Sequence, residues 1–195
     1  MVRLHQVAIV ISHALNPPIV AAFAFLIMLL TTKSHNFFLQ IGISTAFGTV
    51  IPLVIIFWLL RRRIIPDFFV SERESRTIPF LGAIASYIVG AIALFFAGAP
   101  VLVTGMMLCY LVNSLIMMTI TLRWKISVHA SGIAGPATAL AYASGVWALP
   151  FILLLLPVGW ARIKLRAHTL TQVLVGAMLT IAMTWLQMEI YFTIL

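Results

Sequence analysis

Residues 133–161 read IAGPATALAYASGVWALPFILLLLPVGWA, and the way this run is divided decides the fold. As one helix it would extend about 43 Å at 1.5 Å per residue. A bilayer core is about 30 Å thick, so a single helix would need strong tilt. As two short helices turning near Ser144 and Gly145, each half has about 14 residues and needs protein neighbours for shelter. The first division places His129 and His168 on opposite membrane faces, and the second places them on the same face. Polar clusters isolated in an apolar chain make most sense if they meet, so the two-helix division is expected.

The rest of the chain sets the class. Of 195 residues 63% are hydrophobic and 8% charged, and the mean hydropathy is +1.16, far outside the range of soluble domains of this size. Apolar runs near 7–32, 38–60, 79–98, 100–123 and 169–194 are each long enough to span. Asn16-Pro17-Pro18 should kink the first, and Ala97-Gly98-Ala99-Pro100 should form a tight turn between the third and fourth. The expectation is an all-α, polytopic membrane bundle of six to seven transmembrane helices in one domain, 1–195. Cys109 is alone, which excludes an intrachain disulfide. Nine methionines should fill helix interfaces or face lipid.

Charge is sparse and one-sided. The net charge is +8, but the basic residues sit at the ends of apolar segments and not along one polar face, so no nucleic-acid partner is expected. In the seven-helix arrangement Arg3, Arg61, Arg62, Arg63, Arg73, Arg76, Arg123, Lys125, Arg162, Lys164 and Arg166 share one side, and the other side has only Lys33. The positive-inside rule places the first side in the cytoplasm, with Arg61, Arg62 and Arg63 as topology anchors.

Three polar stretches lie on that side: Ser71-Glu72-Arg73-Glu74-Ser75-Arg76, Lys125 through Gly132, and Arg162 through His168 to Gln172. Arg, Lys, His and Ser are the side chains that hold a phosphate and attack its phosphorus. A neutral imidazole is a competent nucleophile, and Gln172, one helical turn after His168, can accept its ring N–H. Ser131 and Gly132 are expected to open a helix whose free N–H groups favour an anion. Lys125 and His129, four apart, can share a helix face. The competing readings are plain: a capping His168, a buried packing His129, and basic residues that only anchor topology. The four carboxylates show no ligand spacing with a histidine, so neither metal nor other cofactor is expected.

The stretch Ala161-Arg162-Ile163-Lys164-Leu165-Arg166-Ala167-His168-Thr169-Leu170-Thr171-Gln172 resembles the third motif of the type 2 phosphatidic acid phosphatase (PAP2) superfamily, S-R-x-x-x-x-x-H-x-x-x-D. Arg162 and His168 match, while Ala161 and Gln172 replace Ser and Asp. Ala130-Ser131-Gly132-Ile133 is similar to the P-S-G-H motif without its Pro and His, and His129 is the nearest substitute for the missing histidine. Arg73, Arg76 and Pro79 lie where the first motif would fall. Trp124-Lys125-Ile126-Ser127, His129, Gly132, Ala161, Arg162, Ala167, His168, Thr169 and Gln172 fit a divergent bacterial membrane branch. The resemblance implies a PAP2-like core and a metal-independent phosphatase in a bacterial plasma membrane, acting on a lipid phosphate or diphosphate such as phosphatidate, phosphatidylglycerophosphate or a polyprenyl diphosphate. It gives His168 as nucleophile, Gln172 as its orienting group, His129 as general acid, and Arg73, Arg76, Lys125, Ser131, Gly132 and Arg162 as phosphate ligands. A binder or flippase that keeps the pocket without turnover is the alternative. A phosphatidyl- or prenyltransferase would need Asp-rich metal motifs, and Asp67 is the only aspartate.

Overall fold

A computed structural model describes residues 2–194, and the described residues form helices and turns without a strand. In chain order the helices are α1 (Val2–Ala14), α2 (Pro17–Thr32), α3 (Phe37–Thr45), α4 (Ile51–Arg61), α5 (Thr77–Phe96), α6 (Val101–Thr121), α7 (Val128–Ser144), α8 (Leu149–Leu153), α9 (Leu155–Lys164) and α10 (Leu170–Ile194).

The helix breaks follow local chemistry. α1 and α2 meet at Asn16 with a bend of 47°, because Pro17 and Pro18 lack N–H groups for the preceding turn. Between α3 and α4 a π-turn spans Ala46–Val50. Pro52 cannot donate to the Gly48 carbonyl, and the wide turn makes room for its ring. The Phe47 carbonyl in this turn accepts Ser86 Oγ–H at 2.7 Å, which ties α5 to it. α5 ends in a Schellman motif around Gly98 (φ 62), where Ala99 N–H bonds Leu94 O at 3.0 Å and Gly98 N–H bonds Phe95 O at 3.1 Å. That is the tight turn expected before Pro100.

Four helical stretches are long and apolar enough to cross a membrane: Phe37–Arg61, Glu74–Phe96, Val101–Thr121 and Leu170–Ile194. The bent α1–α2 pair brings the number to five where it is counted as one span. The six to seven spans read from the sequence are therefore reached only in part. α7 has 17 residues and α9 has 10, each short for a span.

The run 133–161 is divided at Gly145, whose φ of 61° ends α7. A 3₁₀ turn at Gly145–Ala148 and the short α8 lead into α9, which carries the chain back. Ser127 N–H then donates to Gln172 O at 3.2 Å, so the start of α7 and the start of α10 lie side by side. Gly176 permits this approach, because a Cβ there would stand 2.8 Å from the Ser127 carbonyl.

α7 is the central helix, buried along most of His129–Leu140 and packed by α10, α2, α6 and α9. Its alanines and glycines let neighbours come close, as membrane helix packing requires. Around its Leu140, Phe25, Met28, Leu29, Leu94, Met106, Met107 and Met188 form the apolar core. Polar side chains lock α10 to its neighbours. Asn113 Nδ2 donates to Thr184 Oγ1 at 2.9 Å, Gln187 Nε2 donates to Asn113 Oδ1 at 3.0 Å, and the Ser131 and Thr180 hydroxyls share a bond of 2.6 Å.

Candidate functional site

The spacing between Arg162 and His168 is the length of a helix stop followed directly by a helix start. α9 ends in a Schellman motif with Arg166 in the left-handed region (φ 52): Ala167 N–H bonds Arg162 O at 3.0 Å and Arg166 N–H bonds Ile163 O at 2.9 Å. His168 N–H also reaches Arg162 O, at 3.3 Å. One residue later a capping box opens α10. Gln172 N–H donates to Thr169 Oγ1 at 3.3 Å, and Thr169 N–H donates to Gln172 Oε1 at 3.2 Å.

That box fixes the state of His168. Gln172 Oε1 accepts a backbone N–H, so the amide orientation is settled. The same oxygen lies 3.1 Å from His168 Nδ1, which must therefore carry the proton and donate. Nε2 is left with its lone pair. His168 is 6% exposed, and its pKa is pushed down to about 3, chiefly by burial and next by the charge of Arg76, with the Gln172 bond opposing. The imidazole is neutral at physiological pH.

Arg162 is the largest fully buried side chain, 2% exposed. Its Nε has no hydrogen-bond partner, and no acidic side chain pairs with it among the described residues. Its guanidinium instead lies over the Phe69 ring, Cζ 5.2 Å from the centroid. Arg76 is also buried, with Nε donating to Val70 O at 2.9 Å and Nη1 to Ile126 O at 2.9 Å. His129 packs on the Phe69 ring at 5.5 Å, and its Nε2 has no partner among the described residues. Lys125 shares the walls of an open cleft with Thr169, His168 and Gln172. Its pKa is lowered by burial, then by Arg76 and Arg162. The fold thus gathers Arg76, Lys125, His129, Arg162, His168 and Gln172, all expected from sequence.

Three expected phosphate ligands lie elsewhere. Arg73 forms an ion pair with Glu74 at 2.7 Å and caps α6 through the carbonyls of Thr121 (3.3 Å) and Leu122 (2.5 Å). α7 opens at Val128 with Ser127 as its cap, Ser127 Oγ accepting Ala130 N–H at 3.3 Å. Ser131 and Gly132 therefore do not open the helix. Ser131 N–H is already bonded to Ser127 O at 3.1 Å, its hydroxyl is shared with Thr180, and a Cβ on Gly132 would meet Pro17. Ile133 packs between Val20 and Val158, away from the cluster.

Sequence reasoning missed the strap that covers the cluster. Asp67 organises it: Oδ1 accepts Phe69 N–H at 2.8 Å and Ser71 Oγ–H at 3.1 Å, and Oδ2 accepts Ser71 N–H at 3.0 Å. Val70 in the middle takes φ 48°, a rare conformation for a β-branched residue. The signal available was Pro66-Asp67 ahead of Phe68-Phe69, a turn-forming pair before two aromatics. His13 on α1, which carried no pattern, packs against Phe69 at 4.6 Å with the rings tilted by 51°. Beneath the strap an apolar cavity of about 140 Å³ is lined by Phe68, Phe69, Pro79 and Phe80 and reaches Arg76 and His129.

Fold and site together define a helical chain with several membrane-length apolar helices and a buried cationic, two-histidine cluster. Comparison with family models, curated proteins and solved structures returned no match.

Proposed function

We propose that this chain is a membrane-embedded, metal-independent phosphatase of the PAP2 type, acting on a lipid phosphate or diphosphate from the cytoplasmic side of a bacterial plasma membrane. The observation that carries the reading is Arg162, a buried cation without an acidic partner, next to a histidine whose bare Nε2 is dictated by Gln172. Such a cation is costly unless an anion joins it.

In this reading Arg162, Arg76 and Lys125 hold the phosphoryl oxygens and offset the charge of the transition state. His168 Nε2 attacks phosphorus in line, the bond to the leaving oxygen breaks, and a phosphohistidine forms. His129 Nε2 takes a proton from the bound monoanionic phosphate and passes it to the leaving oxygen. In the second step it accepts a proton from the water that attacks phosphorus, and the P–N bond breaks to regenerate His168. Gln172 keeps its hold on Nδ1–H throughout. The hydrocarbon adjoining the phosphate lies toward the apolar cavity. Phosphatidate, phosphatidylglycerophosphate and polyprenyl diphosphates all present this combination. The return of α7 and α9 to one face supports counting them as a sixth and seventh membrane segment, and the eleven basic residues on that face support its cytoplasmic placement.

The test is phosphate release by purified protein in detergent with EDTA, alongside His168→Ala. Release that persists in EDTA and disappears in the variant supports the reading. Lipid phosphate that binds without turnover would favour the binder or flippase, for which Gln172 in place of a carboxylate is the specific observation.

A further inference from the structure

We infer that Phe69 is a positioning residue of the site: its ring sets the Arg162 guanidinium and the His129 imidazole at the angles from which they meet a phosphate. The inference rests on the phosphate-binding reading above.

Among the described residues Arg162 has no carboxylate or carbonyl to fix its plane. What it has is the Phe69 face, 5.2 Å from Cζ. A guanidinium donates its hydrogen bonds in its own plane, so covering one face leaves its edges available to an anion. The same ring meets His129 at 5.5 Å and 62°, and His13 at 4.6 Å and 51°. One aromatic side chain therefore touches the cation and one of the two site histidines.

The backbone around it is built to hold that pose. The only aspartate in the chain accepts the Phe69 N–H and clamps Ser71 with both oxygens. Val70 is held at φ 48°, and its carbonyl accepts Arg76 Nε–H at 2.9 Å. A β-branched residue keeps that conformation only where its surroundings over-determine it. Arg76, itself a cation of the cluster, thus pins the strap that orients Arg162. A ring needed only for packing would require neither the clamp nor the strained neighbour.

The experiment measures inorganic phosphate affinity of the full chain in detergent by ³¹P NMR, for wild type, Phe69→Leu, Phe69→Tyr and Arg162→Ala, with a melting curve for each. Phe69→Leu keeps an apolar side chain and removes the π-face, and is expected to weaken phosphate about tenfold. Phe69→Tyr restores the face and is expected to bind within about threefold of wild type, the two variants melting alike. Equal affinity of Phe69→Leu and wild type, with Arg162→Ala defective, would overturn the positioning role and leave the site reading intact. So would equal losses in Phe69→Leu and Phe69→Tyr. If Arg162→Ala binds phosphate as wild type does, the site reading fails first and the inference with it.

Discussion

Replacing Gln172 by Glu puts a carboxylate where the amide oxygen now stands, 3.1 Å from His168 Nδ1. The capping box survives, since Glu serves at this position as well as Gln. The helix start is unchanged and the substitution alters mainly charge. Two unit charges about 4 Å apart interact by about 4 kcal/mol at an effective dielectric of about 20. At about 1.4 kcal/mol per pKa unit this is about three units, and the open cleft beside Gln172 reduces it to about two. His168, now at about 3, should therefore titrate near about 5 in the variant. The folded-state pKa lies below the ordinary 6.5, so the unfolded chain takes up a proton that the folded chain refuses. Stability contributed by this group is complete above about 6.5, declines as pH falls, and levels off only near about 3 in wild type. In Gln172→Glu the decline should stop near about 5, and the variant should resist acid better. Imidazole ¹⁵N and ¹³C resonances of the protein in micelles, followed from pH 8 down to about pH 2, give both midpoints. Phosphate release, where present, should rise, because a carboxylate favours the cationic phosphohistidine more than an amide does. A His168 midpoint that stays below about 4 in the variant would refute the reasoning, because the amide oxygen would then not be the Nδ1 acceptor.

Three further outcomes follow from the same contacts. Arg162→Met should raise the melting temperature in detergent by a few degrees and abolish phosphate binding, because it removes a buried charge without a partner; a lower melting temperature would show that the fold itself compensates the charge. Asp67→Ala loses three hydrogen bonds in the strap, about 1–3 kcal/mol locally, and limited proteolysis should cut faster between Arg62 and Arg73; an unchanged cleavage pattern would mean that the strap holds without Asp67. Gly132→Ala pushes a methyl group into Pro17 and should destabilise by about 1–3 kcal/mol, read as a lower melting temperature, with no effect there if α2 can move aside.

What was legible in the sequence was what local chemistry decides. The apolar runs gave the long helices, Pro17 and Pro18 gave the bend, and Gly98 gave the turn. The break near Gly145 followed from the length of the run 133–161 together with the expectation that the polar clusters meet. Gln172 as the acceptor for His168 followed from a four-residue spacing on a helix start. The errors came where local choices compete. Ser127 and Ser131 both look like caps, and the resemblance to P-S-G-H favoured the second. The extended backbone at Ser127 decides for the first. Arg73 and Arg76 lie three apart in one charged stretch, and a single 3₁₀ turn over Glu74–Arg76 separates an exposed ion pair from a buried guanidinium. Phe69 was out of reach, because its contacts exist only once Arg162, His129 and His13 arrive from other helices.

The charge balance of the cluster argues for an anionic ligand independently of any motif. Arg76, Lys125 and Arg162 stand close enough for each to press on the His168 imidazole. Among the described residues the nearest acid acting on Arg162 is Asp67, and both its oxygens are engaged by the strap. A soluble protein would let water screen such a group, but here apolar helices and a phenylalanine ring exclude it. Several acceptor oxygens among the cations would offset this charge, and in the proposed reading a phosphate supplies them. The adjoining cavity is apolar and lies between membrane-length helices, which is why the proposed ligand is one that carries hydrocarbon on the side away from the charge. A free phosphate would leave that cavity empty, whereas the lipid phosphate we propose would fill both halves.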